Sequence, residues 1–294
     1  MMINLITTLE RKEDLPALLA SAADTILVSV RGLSSSCAQP LSPEERTEVS
    51  AKVKAAGKRL AVLANITLHE DMVEPAEQLM TDCFAEDHVS VFFADPALFY
   101  MAKKYDMVSR MVYEPETLMT SSPDGEWWIS RGVEGVCISP LLTLKETVSI
   151  ASTVKKAIVT VHGRTLMSRS YRKLLTAYKD QNHLEQEVTD NRRLYIVEKQ
   201  REGNMPIFED ETGTLIYSDD ILDSFDFIDQ IIESKPIAFL INGSYMDLNQ
   251  QLASIEAYKK ILDGTSASTV GKEYREQFSS EPLDSGYYEQ KTVK

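Results

Sequence analysis

Short runs of β-branched and other apolar residues alternate with amphipathic segments through the first half of the chain. This alternation is typical of repeated strand–helix units, in which parallel strands form one sheet and the helices cover it. A further apolar run comes late in the sequence and supplies the last strand. The predicted strands are residues 2–7, 25–30, 59–64, 89–94, 107–113, 135–139, 157–161 and 236–241.

Two of the intervening helices carry boundary signals. A helix over 43–56 follows Ser42, which can cap its start, and precedes Gly57, which can end it. A second is predicted over 72–85.

Eight strands with covering helices match a closed (β/α)8 TIM-like barrel, while the first strand lacks the GxGxxG motif of the open dinucleotide-binding sheet. The sequence therefore predicts an α/β fold of the TIM-like barrel type.

The segment 163–234 is too long for a single connection between two strands. It is predicted to be an insertion after strand seven, with a basic helix over 164–178 and a β-hairpin around Gly203 and Gly213. Residues 1–263 are interpreted as one barrel domain that includes this insertion. Residues 264–294 are interpreted as a C-terminal tail that packs on the barrel.

The formal net charge of −14 at pH 7 argues against non-specific binding of nucleic acid by the whole surface. The charge is uneven, however, because no acidic residue occurs from Thr147 to Lys179. The sequence therefore predicts one basic patch on an acidic protein. Its members are Lys155, Lys156, Arg164, Arg169, Arg172, Lys173 and Lys179.

Targeting, membrane and disulfide signals are weak. Residues 1–9 are apolar but lack a basic leading segment, so they are interpreted as a strand and not as a signal peptide. No apolar stretch approaches the roughly 20 residues that span a bilayer. Cys37, Cys83 and Cys137 lie far apart and lack the spacing of a metal or disulfide motif. We therefore expect a cytoplasmic protein without membrane contact and without a metal site.

Polar residues close most of the predicted strands, at the end where barrel enzymes form their sites. They are Asn65, Asp95, Glu114 with Glu116, Ser139, His162 and Asn242. We expect them to converge on one mouth, although each is also a residue type that turns and helix caps prefer.

His162 is the candidate catalytic residue, because a histidine is an unusual cap and Gly163 allows close approach of the backbone. It is suited to acid/base work or to binding an anion, but no GxSxG or HExxH motif accompanies it. Guanidinium groups grip carboxylates and phosphates, although basic side chains also form solvated faces. The candidate substrate-binding residues are Asn65, Asp95, Glu116, Arg164, Arg169, Arg172 and Asn242.

Three groups of segments resemble peptidase family U32, in particular its short bacterial branch. They are 161–164 with 170–175, then 205–213, and finally 283–288, supported by Asn65 and 95–97. The resemblance implies a barrel and a peptidase label taken from collagenase-like relatives. The short branch is similar to proteins that act with a longer family member in prephenate-dependent 5-hydroxylation of the tRNA wobble uridine.

The departures from the family pattern change what is expected. Longer relatives hold an iron–sulfur cluster on cysteines, but 166–175 contains none, so we expect no cluster. Leu240 and Asn242 also stand where the last strand of the family usually carries a lysine and a carboxylate. The resemblance therefore implies an accessory or substrate-organising subunit that needs a longer paralogue and reaches tRNA through 155–179. Two alternative functions stay open: a collagenase-like peptidase of unassigned mechanism, and a binding module for a small carboxylate or peptide. Whether the chain catalyses a reaction alone also stays open.

Overall fold

The computed structural model describes residues 3–197 and 203–290. The first part of the chain alternates strand and helix: β1 (Asn4–Thr8), α1 (Leu15–Ala20), β2 (Thr25–Ser29), α2 (Pro43–Ala55), β3 (Arg59–Ala64), α3 (Val73–Phe84), β4 (Val89–Phe93), α4 (Pro96–Lys104), β5 (Met111–Tyr113), α5 (Ser122–Ile129), β6 (Gly135–Cys137), α6 (Leu144–Val154) and β7 (Ala157–Gly163). The inserted segment then contains β8 (Leu166–Ser170), α7 (Leu174–Gln181), β9 (Tyr195–Val197), β10 (Asn204–Asp210), β11 (Gly213–Tyr217), β12 (Ile221–Asp223) and α8 (Ile228–Glu233). The chain ends with β13 (Ala238–Asn242), α9 (Leu248–Leu262), α10 (Ala267–Gln277) and β14 (Leu283–Asp284).

Eight of these strands close into a parallel barrel. Strands β1 to β7 pair in sequence order, and β13 pairs in parallel with both β7 and β1, so the sheet has no open edge within the barrel. The predicted (β/α)8 TIM-like barrel with an insertion after strand seven is confirmed. Closure brings the carboxyl ends of all eight strands to one face.

Alternate residues of the barrel strands face two different apolar layers, because successive side chains of a strand point to opposite sides. Ile6, Leu27, Leu63 and Phe92 belong to the cluster inside the barrel. Neighbours such as Val28 belong to the larger cluster between barrel and helices. Helix α2, which covers this layer, begins at its predicted capping residue: Ser42 and Glu45 form a reciprocal capping box.

The predicted helix over 164–178 is wrong. Its first part is strand β8, which pairs antiparallel with β11, and only α7 is helical. Pairing with a strand more than forty residues away overrides the local helical spacing of apolar residues. Gly213 makes this pairing possible, because its φ is +130° and a side chain there would lie 2.1 Å from the Ser170 carbonyl oxygen. The hairpin predicted around Gly213 is confirmed as β10–β11, and with β8 and β9 these strands form a four-stranded sheet.

Smaller differences concern element ends. The predicted strand over 107–113 is a strand only from Met111, because 108–110 form a turn of 3₁₀ helix, and the strand predicted to reach Ser139 ends at Cys137. Met2, the predicted start of the first strand, lies outside the described residues. The predicted tail contains helix α10, which buries Val270 and Tyr274, and strand β14, which pairs with β12. Among the described residues, the helices are all too short or too polar to cross a lipid bilayer.

Candidate functional site

A cavity of about 100 Å³ opens at the carboxyl ends of the barrel strands. Its floor is apolar and is formed by Leu27, Leu63 and Leu240 from three barrel strands. Its upper wall is polar and contains side chains that follow several different strands. The polar residues are Thr8, Ser35, Ser36, Asn65, Glu114, Glu116, Thr160, Arg164, Thr165, Tyr217, Asn242 and Ser244. An apolar floor below a polar rim suits a small organic ligand with charged or hydrogen-bonding groups.

One wall of the cavity is backed by a buried ion pair, of which Glu116 lines the cavity and Arg169 does not. Arg169 of β8 lies 3.2 Å from Glu116 and donates to the Asn65 carbonyl oxygen at 3.4 Å. Asn65 is fixed in turn, because its Oδ1 accepts a hydrogen bond of 2.9 Å from the Ser35 N–H. The Arg169 side chain is 9% exposed and the Glu116 side chain 13%. Burial raises the pKa of Glu116, while the Arg169 charge acts in the opposite direction.

Two features of this wall indicate that it is built for more than packing. Glu116 has φ of +60°, a conformation that costs energy for any residue with a side chain and that tends to occur at functional sites. The Nε and Nη2 atoms of Arg169 are buried and have no hydrogen-bond partner among the described residues. Donors of this kind are expensive to leave unpaired, and they lie beside Glu116, which does line the cavity.

Arg164 forms a second cationic group at the cavity. Its Nη1 donates to the carbonyl oxygens of Ser218 and Asp219, and its Nε is buried without a partner in the described part of the chain. Among the described residues, no carboxylate lies within ion-pair distance, 4.0 Å, of the Arg164 guanidinium. Burial lowers the pKa of Arg164, as expected for a cation held away from water. The carboxyl groups of Glu281, Asp220 and Asp219 act on its pKa in the opposite direction, but none of them forms an ion pair with it within the described part of the chain. This cation therefore favours an anionic ligand.

Asn242 and Gly163 bring Arg164 to this position. The Asn242 Nδ2 donates to the Arg164 carbonyl oxygen at 2.9 Å. Gly163 has φ of +109°, and a side chain there would lie 2.0 Å from the Asn242 carbonyl oxygen. The predicted close approach of the backbone at Gly163 therefore joins the ends of β7 and β13. This contact fixes two predicted binding residues, Arg164 and Asn242, on the same wall.

Glu114 is the cavity residue suited to proton transfer. It directly follows β5, and one carboxyl oxygen accepts a hydrogen bond of 3.0 Å from the Glu116 N–H. Burial raises the pKa of Glu114 to about 7, although hydrogen bonds from Cys137 and from the Glu116 backbone favour its charged form. A carboxyl with a pKa near the working pH can both give and accept a proton. Glu114 was noted at the strand end, yet its sequence context did not separate it from its neighbours.

Glu114→Gln is expected to stabilise the protein at pH 8 and to change little at pH 5. The pKa is about 7 in the folded protein and near its ordinary value of 4.5 in the unfolded chain, so the folded state binds more protons between these values. Wild-type stability therefore falls as pH rises through this window, by about 2–3 kcal/mol. Urea unfolding of both proteins at pH 5 and pH 8 measures the difference. An equal change at both pH values would contradict a raised pKa.

His162 does not line this cavity. Its side chain is completely buried on the outer side of β7, against helices α9 and α10. Nε2 lies 2.9 Å from the Tyr274 hydroxyl, and Nδ1 lies 3.4 Å from the Tyr258 hydroxyl. Burial lowers the pKa of His162 to about 3, so the ring is neutral at physiological pH. The expectation that His162 joins the other strand ends at the mouth is therefore not met, and we give it no role in the site.

Asp95 and Arg172 also lie outside the cavity lining. Asp95 caps α4 through a 2.8 Å hydrogen bond from the Ala97 N–H, and its other oxygen accepts from the Leu68 N–H at 2.9 Å. Both carboxyl oxygens are therefore engaged by backbone donors, the alternative that the sequence left open for each strand end. Arg172 is exposed on the inserted segment.

The predicted basic patch is divided by the fold. Lys155 and Lys156 precede β7 and lie at the opposite end of the barrel from Arg164, which follows the strand core. Arg169 is taken up by its ion pair with Glu116. Because the chain crosses the whole barrel inside this stretch, one contiguous patch over 155–179 is not formed. Two basic residues, Arg172 and Lys173, stay exposed near the cavity end.

Comparison with known proteins gives three findings. A sequence model described as peptidase family U32 matches residues 10–294. A curated protein of Bacillus subtilis (strain 168), named tRNA hydroxylation protein P2, is 22% identical over 263 residues, which are 88% of this chain and 85% of that protein. A solved structure, titled as that of the U32 peptidase Mk0906, covers 82% of this chain and 93% of its own, with 16% identity and a TM-score of 0.48.

Proposed function

Because this chain belongs to peptidase family U32, we propose that it is an accessory or substrate-organising subunit in prephenate-dependent 5-hydroxylation of the tRNA wobble uridine. It would work with a longer family member and be cytoplasmic. The observation that carries the proposal is the similarity, along 88% of the chain, to a protein named for tRNA hydroxylation.

The chemistry of the cavity supports the prephenate part of the proposal. Prephenate is a small dicarboxylate, and the cavity offers the Arg164 guanidinium, whose Nε is buried and unpaired among the described residues, beside an apolar floor. Guanidinium groups bind carboxylates with two parallel hydrogen bonds, which a neutral ligand does not reproduce. Glu114 supplies a carboxyl that can hold a proton next to such a ligand.

Nucleoside mass spectrometry of tRNA tests this function in cells that lack the gene and keep the longer paralogue. We expect loss of 5-hydroxyuridine derivatives, full recovery with the wild-type gene, and about tenfold less recovery with Arg164→Met, because the buried cation is the anion-binding group. Arg131→Met is the matched control, since Arg131 stacks on Trp127 and is absent from the cavity lining. Unchanged tRNA in the deletion strain would exclude the function.

A hydrolase is the second candidate, and one observation favours it. Glu114 and Glu116 place two carboxyl groups in the same cavity, and the raised pKa of Glu114 suits it to activate water. Peptide hydrolysis by the purified chain, abolished by Glu114→Gln, would support this candidate. An accessory subunit has no such activity alone.

A further inference from the structure

An exposed face of the inserted segment begins beside the cavity. Tyr171 is 54% exposed, Leu174 43% and Tyr178 60%. Arg172 and Lys173 lie between them and are exposed as well. Leu174 and Tyr178 are four residues apart on α7, so they lie on the same side of the helix. We call residues 171–178 the tyrosine face.

Contacts of Tyr171 hold the start of this face next to the site. The Tyr171 hydroxyl contacts Thr67 Oγ1 in the loop that follows β3, and the Arg169 guanidinium stacks 4.6 Å from the Tyr171 ring centre. Arg169 is in turn the ion-pair partner of Glu116 in the cavity wall. The face therefore runs outward from the cavity without an intervening flexible linker.

The charge of the face is complementary to a polyanion. Its charged residues, Arg172 and Lys173, are both basic and exposed, on a chain whose net charge is −14, and the next acidic residue is Asp180. Lysine is depleted at the buried centre of protein–protein interfaces, whereas tyrosines alternating with Arg and Lys are typical of surfaces that bind single-stranded nucleic acid. Each base can stack on a ring while the neighbouring cations contact phosphate.

We propose that Tyr171 and Tyr178, with Arg172 and Lys173, form a stacking platform for the unpaired bases of an RNA loop. This inference rests on the proposed function and deepens it, because it names the part of the RNA that the chain contacts. The wobble uridine lies in such a single-stranded loop, and the platform presents the loop to the cavity from its rim.

Fluorescence anisotropy of a labelled oligouridine with the purified chain tests the platform. The double variant Tyr171→Ala/Tyr178→Ala is expected to weaken binding about 30-fold or more, as for the loss of two stacked bases. The double Trp variant keeps the stacking surface and is expected to bind within about threefold of wild type. Tyr100→Ala is the matched control, since Tyr100 is 71% exposed on α4. Its affinity is expected to stay within about twofold of wild type.

One further variant and the tRNA measurement complete the test. Arg172→Ala/Lys173→Ala is expected to weaken binding and to reduce the salt dependence of log Kd by about 1–2, since two phosphate contacts are lost. A wild-type chain that fails to bind oligouridine, or a double Ala variant that binds as wild type does, overturns the platform. If the platform is overturned but tRNA from the deletion strain lacks 5-hydroxyuridine derivatives, the proposed function still stands. RNA binding that depends on the two tyrosines, with unchanged tRNA in the deletion strain, would instead support the platform and exclude the function.

Discussion

Replacing Glu209 with Ala is expected to lower the free energy of unfolding by about 3–5 kcal/mol. Glu209 is completely buried, and its carboxylate accepts hydrogen bonds from the Leu175 and Thr176 N–H groups at the start of α7, from the Thr176 hydroxyl, and from the Thr214 hydroxyl. Removing it leaves the two N–H groups at the start of α7 without their protein acceptor in a partly buried position. An isolated helix of eight residues is not stable in water, so α7 is expected to unfold first.

Glu211→Ala is the matched control for this prediction. Glu211 lies two residues away, but its side chain is 42% exposed and faces Arg31 at 3.8 Å. A surface pair of this length contributes less than about 1 kcal/mol. Urea unfolding gives the global stability, and hydrogen exchange at Leu175 and Thr176 reports on the helix itself. Equal stabilities of the two variants would contradict the role assigned to Glu209.

Between pH 7 and pH 4, the free energy of unfolding of the wild type is expected to fall by about 3 kcal/mol more than that of His162→Phe. The folded ring has a pKa of about 3 and the unfolded ring has its ordinary value near 6.5, so the unfolded chain binds more protons between these values. The His162 contribution is therefore complete above pH 6.5 and is lost as pH falls towards 3. Phe fills the same space without titrating.

Urea unfolding of wild type and His162→Phe at pH 7 and pH 4 measures this difference. At pH 7 the variant is expected to fold and to keep the cellular activity, because the ring contacts tyrosines behind the barrel and not the cavity. A folded variant that loses activity at pH 7 would return His162 to the site. A parallel fall of both proteins with pH would contradict its buried, neutral state.

The 205–213 segment illustrates how a family-like motif can stabilise the fold. Glu209 and Gly213 lie in one of the segments that resemble the U32 family. Glu209 anchors α7, and Gly213 allows β11 to approach β8. Both residues thereby position the tyrosine face at the rim of the cavity. A match to this segment therefore indicates the inserted sheet and says little about chemistry.

The sequence by itself determined the barrel and the end of the barrel that carries the polar residues. Hydrophobic periodicity and capping signals such as Ser42 with Glu45 act within a few residues, so strands and helices followed from local pattern. Parallel strands in a closed barrel place all carboxyl ends at one face, which brought Asn65, Glu116, Arg164 and Asn242 to one cavity.

Only the tertiary structure decided which polar side chains face that cavity and which face the core. Thr160 faces the cavity, and regular alternation would turn His162, two residues later, the same way. An irregularity in the pairing of β7 with β13 adds one residue between them and turns His162 outward. Strand β8 replaced a helix because its partner β11 lies far away in sequence. Burial raises the pKa of Glu114 to about 7, and it places Arg169 in an ion pair away from the surface. Both effects depend on packing by segments that are distant in sequence. Such effects follow from contacts between residues far apart in the chain, which local pattern does not contain.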